Sequence, residues 1–199
     1  MSPAEKHLSQ DPIMRRLIKK HSLSEIGEPE NLFLELVDII TSQQLSVKAG
    51  RTIFNRLLSL LSPKTPPEVV PQDLLNLSHE QLRSAGLSNS KVTYVHHLAD
   101  TLNKNHIILE HLKNFSDIEI IDQITQVKGL GPWSAEMFLI FSLRRPDVFS
   151  VGDLGLRTAI SNLYGIDRED KKRIEKLSQT WSPHRSFASR YLWASLNNS

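Results

Sequence analysis

Apolar residues along the chain recur at intervals of three and four, the spacing that gathers them on one stripe of an α-helix. Leu32, Phe33, Leu36, Val37 and Ile40 form one such stripe, and Ala49, Ile53, Leu57, Leu58 and Leu61 the next. Val92, Val95, Leu98, Ala99 and Leu102 repeat the pattern, followed by Met137, Phe138 and Phe141, and by Phe187, Ala188, Tyr191 and Leu192. Ile118, Ile121 and Ile124 predict a shorter helix. No alternation of β-branched residues is long enough to predict a strand; residues 147–151 alone read as extended, and helical patterns flank them. The predicted fold class is all-α.

Proline and glycine break this pattern into segments. Residues 62–67 with Pro71 make the clearest interruption, because consecutive prolines cannot continue a helix. Gly86 with residues 88–90 marks a second loop, Gly129-Leu130-Gly131-Pro132 a third and Gly152-Asp153 a fourth. At the fifth, Trp181-Ser182-Pro183, Ser182 reads as the cap of a helix that holds Pro183 in its first turn.

Composition narrows the chemistry. The 199 residues are 39% hydrophobic and 23% charged, which is the balance of a folded globular chain. Cysteine is absent, so disulfides, thiolate zinc sites, thiol nucleophiles and cysteine-held iron–sulfur clusters are all excluded. Residues 1–10 lack the apolar core of a secretory signal, and the longest apolar run, 137–141, is far below the ~20 residues that span a bilayer. An intracellular protein with no membrane association is expected. The formal net charge of +2 permits nucleic-acid binding without indicating it.

Two segments carry candidate chemistry. In the turn around Gly129 and Gly131 the glycines allow tight backbone approach, and Pro132 suits the first turn of the helix that follows. Such a turn exposes backbone N–H groups that suit a phosphate, although a plain helix–helix connection with a glycine cap is the commoner use of such a pair. Asp153 follows Gly152 and precedes the helical pattern Leu156, Ile160, Leu163. It reads as a helix N-cap, and the helix dipole then favours its ionised form, suited to electrostatic stabilisation.

Residues 127–135, Val-Lys-Gly-Leu-Gly-Pro-Trp-Ser-Ala, followed by Val151-Gly152-Asp153-Leu154-Gly155, resemble the helix–hairpin–helix/Gly-Pro-Asp superfamily of base-excision DNA glycosylases. Residues 40–46, Ile-Thr-Ser-Gln-Gln-Leu-Ser, residues 85–88 with Lys91 and Tyr94, and residues 181–186 ahead of Tyr191-Leu192-Trp193 point to its 3-methyladenine DNA glycosylase II-like branch. The resemblance implies a two-lobed helical fold with a cleft for a flipped nucleotide. One lobe spans roughly residues 31–115; the other combines 1–30 with 116–199 and carries the hairpin and the catalytic aspartate.

By the same resemblance Asp153 is the catalytic carboxylate, stabilising an oxocarbenium-like sugar while the N-glycosidic bond of an alkylated purine is hydrolysed. Trp133, Met137 and His184 fall at base-pocket positions, with Trp133 suited to stacking on a cationic base. Lys128, Gly129, Leu130 and Gly131 form the hairpin that holds the DNA backbone. Gln44, Leu45 and Ser46, after Gln43, and Ser88 with Asn89 form two loops that enter the minor groove, Leu45 as the wedge. Lys128, Lys91 and Arg157 are candidate phosphate partners.

Relatives with strand-cleaving activity carry a lysine where this chain has Trp133, so no lyase step is expected. No cofactor or metal is expected. The expected partner is double-stranded DNA bearing alkylated bases or abasic sites, bound by a monomer, in the nucleus if the source is eukaryotic. His184 departs from the aromatic residue usual at its place and offers less stacking area. That departure supports a second reading, a protein that recognises abasic or damaged DNA through its loops without efficient excision. A helix-turn-helix regulator accounts for the helices but not for the hairpin, Asp153 and the paired glutamines together.

Overall fold

The structure, a computed structural model, describes residues 1–61 and 64–196. Ser62 and Pro63, which open the proline-rich break, lie outside the described residues. Among the described residues twelve α-helices follow one another: α1 Pro3–Leu8, α2 Pro12–Lys20, α3 Leu32–Ser42, α4 Val47–Leu60, α5 Pro71–Leu75, α6 His79–Ala85, α7 Asn89–Asn103, α8 Asp117–Ile124, α9 Pro132–Met137, α10 Leu154–Tyr164, α11 Lys171–Gln179 and α12 Arg185–Leu196. A π-helical turn, Phe138–Ser142, continues α9. No strand occurs among the described residues, and residues 147–151 are irregular. No helix there is long and apolar enough to cross a membrane.

Short polar side chains set where the helices begin. Asp11, Asn31, Ser46, Ser88, Ser116 and Asp153 each accept a hydrogen bond from a backbone N–H in the first turn of the helix they precede. Each such cap contributes about 1 kcal/mol. Gly86 ends α6 and Gly165 ends α10 in the left-handed region, at φ 109° and 65°.

The chain divides into two compact units, one of Glu28–Phe138 and one in which Met1–Gly27 joins Leu139–Ser199. In Glu28–Phe138 the predicted α3 and α7 stripes meet: Phe33, Leu36, Val37, Ile40, Val92, Val95, Leu98 and Ala99 are all buried. Gly50 lets α4 pass close to the end of α3, where a Cβ at this position would lie 2.6 Å from Ser42 Oγ. Sequence reading assigns the hairpin segment to the Asp153 lobe. The contacts instead group it with residues 28–116, because α9 packs on α3 and Tyr94 of α7 lies directly over Gly129.

In the other unit α12 packs against α2 and α10. Its core joins Leu8, Met14 and Leu17 to Leu156, Ile160, Ile174, Trp181, Tyr191 and Leu192. Asp11 stitches the N-terminal segment into place. Its Oδ1 caps α2, and its Oδ2 accepts from Tyr164 Oη at 2.8 Å and Trp181 Nε1 at 3.2 Å. Burial, then the bond to Asp11, pushes the Tyr164 phenol well above the usual tyrosine range. Tyr191 Oη donates to Glu5 Oε1 at 2.9 Å, and burial with that bond pushes its pKa up to about 12.

Ser182 does not cap the last helix. Its hydroxyl donates to Asp147 Oδ2 at 2.8 Å, and α12 begins only at Arg185. Asp147 serves as the cap from 38 positions upstream, accepting from Arg185 N–H at 3.2 Å and Arg185 Nε at 2.8 Å. Ser186 adds to the same joint: its hydroxyl donates to the Arg145 carbonyl at 2.6 Å and accepts from Val148 N–H at 3.0 Å. The segment Trp181 to Ser186 therefore anchors the irregular stretch that leads to Asp153.

Candidate functional site

Asp153 heads α10 as the sequence expects. Its Oδ1 accepts from Leu156 N–H at 2.7 Å and from the indole Nε1–H of Trp193 at 2.9 Å. The Asp153 side chain is half-buried. Gly155 keeps the approach open, since a Cβ there would lie 3.0 Å from Asp153 Oδ1 and 3.2 Å from Trp193 Cδ1. Phe141 packs against the indole, with ring centroids 5.7 Å apart. Leu154 beside it is an exposed apolar residue. Trp193 escaped sequence reading because it stands forty positions away, in a motif whose contribution to the carboxylate no local pattern reveals.

His184 shares this unit but is occupied elsewhere. Its ring packs edge-on against His7 at 5.4 Å and Phe187 at 6.2 Å, and its buried Nδ1 has no hydrogen-bond partner among the described residues. Arg157, a candidate phosphate partner, is committed within the fold: its guanidinium donates to the Arg168 carbonyl and to Glu169 Oε2, each at 3.0 Å. Its side chain is mostly buried.

The hairpin and both loops belong to Glu28–Phe138. In the turn between α8 and α9, Gly129 has φ 94°, and a Cβ there would lie 2.2 Å from Tyr94 Cγ. Only glycine suits both conditions. Lys128 is exposed, and its N–H donates to His97 Nδ1 at 3.2 Å. Leu130 is buried and its N–H donates to the Val127 carbonyl at 3.0 Å, so it closes the turn rather than facing outward. The N–H groups of Gly129 and Gly131 have no acceptor among the described residues and remain available to an external anion. Gly131 precedes Pro132 at the start of α9. Trp133, half-buried, and Met137, buried, lie one turn apart on that helix.

The loop between α3 and α4 holds a bent conformation. Gln44 has φ 58°, Leu45 N–H donates to the Ser42 carbonyl at 3.2 Å, and Ser46 caps α4. Leu45 is 41% exposed and Val47 87% exposed, an apolar pair at a polar loop. Val47 had no signal in the sequence beyond its neighbour. Gln43 turns inward, its Nε2 donating to the Gly129 carbonyl at 2.8 Å and to Ser134 Oγ at 3.0 Å.

Lys91 is bonded within the protein. Its ammonium donates to the carbonyls of Thr41 at 2.8 Å and Gln43 at 2.9 Å, and burial lowers its pKa from the usual lysine value. Ser88 caps α7 by accepting from Lys91 N–H at 3.2 Å, and Asn89 opens that helix exposed. Among the described residues no group of three or more His, Asp or Glu is placed to hold a metal ion.

Compared with known proteins, residues 37–184 match the family described as HhH-GPD superfamily base excision DNA repair protein. The chain is 33% identical to DNA-3-methyladenine glycosylase 1 of Schizosaccharomyces pombe, over 97% of this chain and 86% of that protein. It is 30% identical to the alkylbase DNA glycosidase-like protein mag2 of the same organism, over 96% and 91%. Among solved structures, a DNA-3-methyladenine glycosidase from Bacillus halodurans superposes with a TM-score of 0.82 at 33% identity, covering 99% of this chain and 90% of that one. The 3-methyladenine DNA glycosylase of Schizosaccharomyces pombe in complex with abasic DNA gives 0.87 at 30% identity, covering 100% and 98%.

Proposed function

Since the chain belongs to the HhH-GPD superfamily of base excision DNA repair proteins, we propose that it is a DNA glycosylase that hydrolyses the N-glycosidic bond of alkylated purines in duplex DNA. The observation that carries this reading is the Asp153 carboxylate, fixed at a helix head by Leu156 N–H and Trp193 Nε1–H. Similarity to relatives named DNA-3-methyladenine glycosylase supports the substrate class.

An alkylated purine carries a positive charge, so it departs as a neutral base with the electron pair of the broken C1′–N bond. Positive charge then develops on the deoxyribose. A fixed carboxylate stabilises that charge without reorganising, and it takes up a proton as water adds at C1′. The products are the free base and an abasic site. Trp133 and Met137 are proposed to line the base pocket, with the Trp133 face attracting a cationic ring. The Gly129 and Gly131 amides with the Lys128 side chain are proposed to hold the DNA backbone, and Leu45 to fill the space that the flipped nucleotide leaves. Trp133 supplies no amine, so the reaction ends at hydrolysis without strand cleavage.

Release of 3-methyladenine and 7-methylguanine from methylated DNA tests the reading. Wild-type protein releases base, and Asp153→Asn lowers the rate by about a hundredfold or more while binding to abasic DNA persists. A wild-type protein that releases none is not an excision enzyme. His184 favours the alternative of damage recognition without efficient excision, because its ring packs on His7 and Phe187. Tight abasic binding with no base release supports that alternative.

A further inference from the structure

Gln43 and Gln44 adjoin the exposed Leu45, which invites a reading in which both amides face DNA. The hydrogen bonds separate them. Gln43 Nε2 spends its two protons inside the protein, on the Gly129 carbonyl and on Ser134 Oγ, 86 and 91 positions away. One acceptor lies in the hairpin turn and the other in α9. The backbone carbonyl of the same residue accepts from Lys91 Nζ, which also binds the Thr41 carbonyl at the end of α3. Side chain and main chain of Gln43 are thus tied to different elements, and Gln44, at φ 58°, turns the loop outward immediately afterwards. Tyr94, one turn after Lys91 on α7, packs over Gly129 and closes the circuit from the hairpin side.

We propose that Gln43 and Lys91 are positioning residues that lock the Leu45 loop and the hairpin into one rigid clamp. Unstacking by Leu45 and backbone grip by the hairpin then occur in a single register. The proposal rests on the reading above, in which Leu45 is the wedge. A free loop loses conformational entropy when DNA binding orders it, and a loop already tied to the hairpin avoids that loss. Neither residue touches DNA in this account, and both act through Leu45 and Gly129.

The test measures affinity for a duplex carrying a tetrahydrofuran abasic analogue and for the same duplex intact. A 2-aminopurine beside the lesion reports unstacking. Gln43→Leu and Lys91→Met are each expected to weaken abasic binding about tenfold, the 1.4 kcal/mol of one or two partly buried hydrogen bonds, with little change for intact DNA. The 2-aminopurine signal at saturation falls in both, and Lys91→Arg restores it. Adding Gln43→Leu to Leu45→Ala costs less than it does alone, because the wedge it positions is already gone. Gln43→Glu, of equal size but without donors, stands in should Gln43→Leu not fold.

A merely structural role predicts equal weakening for both duplexes and an unchanged 2-aminopurine signal, which overturns the coupling. Folded variants that keep wild-type abasic preference also overturn it, provided that Leu45→Ala loses that preference and so leaves the wedge standing. Should Leu45→Ala keep the preference too, the wedge assignment falls and the coupling falls with it.

Discussion

Asp153 shows how one side chain caps a helix and stands ready for the chemistry proposed above. The same Oδ1 caps α10 and accepts the Trp193 indole, so the orientation of the carboxylate is fixed by two donors from different helices. Its place at a helix head was legible from a glycine, an aspartate and the apolar pattern after it. Trp193 was not, because a tertiary hydrogen bond leaves no local periodicity. Trp193→Phe keeps an aromatic ring against Phe141 and removes only the N–H. Base release is expected to show kcat reduced about tenfold with KM unchanged, since the lost bond orients the carboxylate and not the substrate. A rise in KM with kcat intact would place Trp193 in the base pocket instead.

At the level of elements, the long stripes were read correctly where a helix buries one face fully. All five predicted residues of α7 are buried, whereas α4 buries little beyond Gly50 and Leu57. In α8 Ile118 of the predicted stripe is exposed, and Ile120 and Ile124 carry the packing. The start of α12 was misplaced because its cap, Asp147, is supplied from outside the helix. Burial opposes ionisation of that carboxylate, but hydrogen bonds from Arg185 and Ser182 outweigh it and hold its pKa below the usual aspartate value. A carboxyl with a depressed folded pKa contributes stability above its unfolded pKa, near ~4, and loses it as the pH falls through the folded value. Asp147→Asn is expected to lower stability by about 2 kcal/mol at pH 7. Thermal melts should show that deficit shrinking below about pH 4. A deficit that does not change with pH would mean that packing, not charge, holds the joint.

Over the whole molecule the formal net charge is only +2. Two of the three lysines and arginines singled out from sequence, Lys91 and Arg157, are bonded within the protein, and Lys128 is left exposed. Lys128→Ala is expected to weaken abasic and intact duplexes alike, and to reduce the slope of log affinity against log salt by about 1. An unchanged slope removes Lys128 from the backbone contacts. The unit that holds Asp153 is closed by both ends of the chain, with Leu8, Met14 and Asp11 set against Trp181, Tyr191 and Leu192. Translation runs in one direction, so residues 28–138 leave the ribosome before residues 139–196, which the Asp153 unit needs. On the function proposed above, a nascent chain therefore acquires the unit proposed to hold nucleic acid before the carboxylate proposed to act on it.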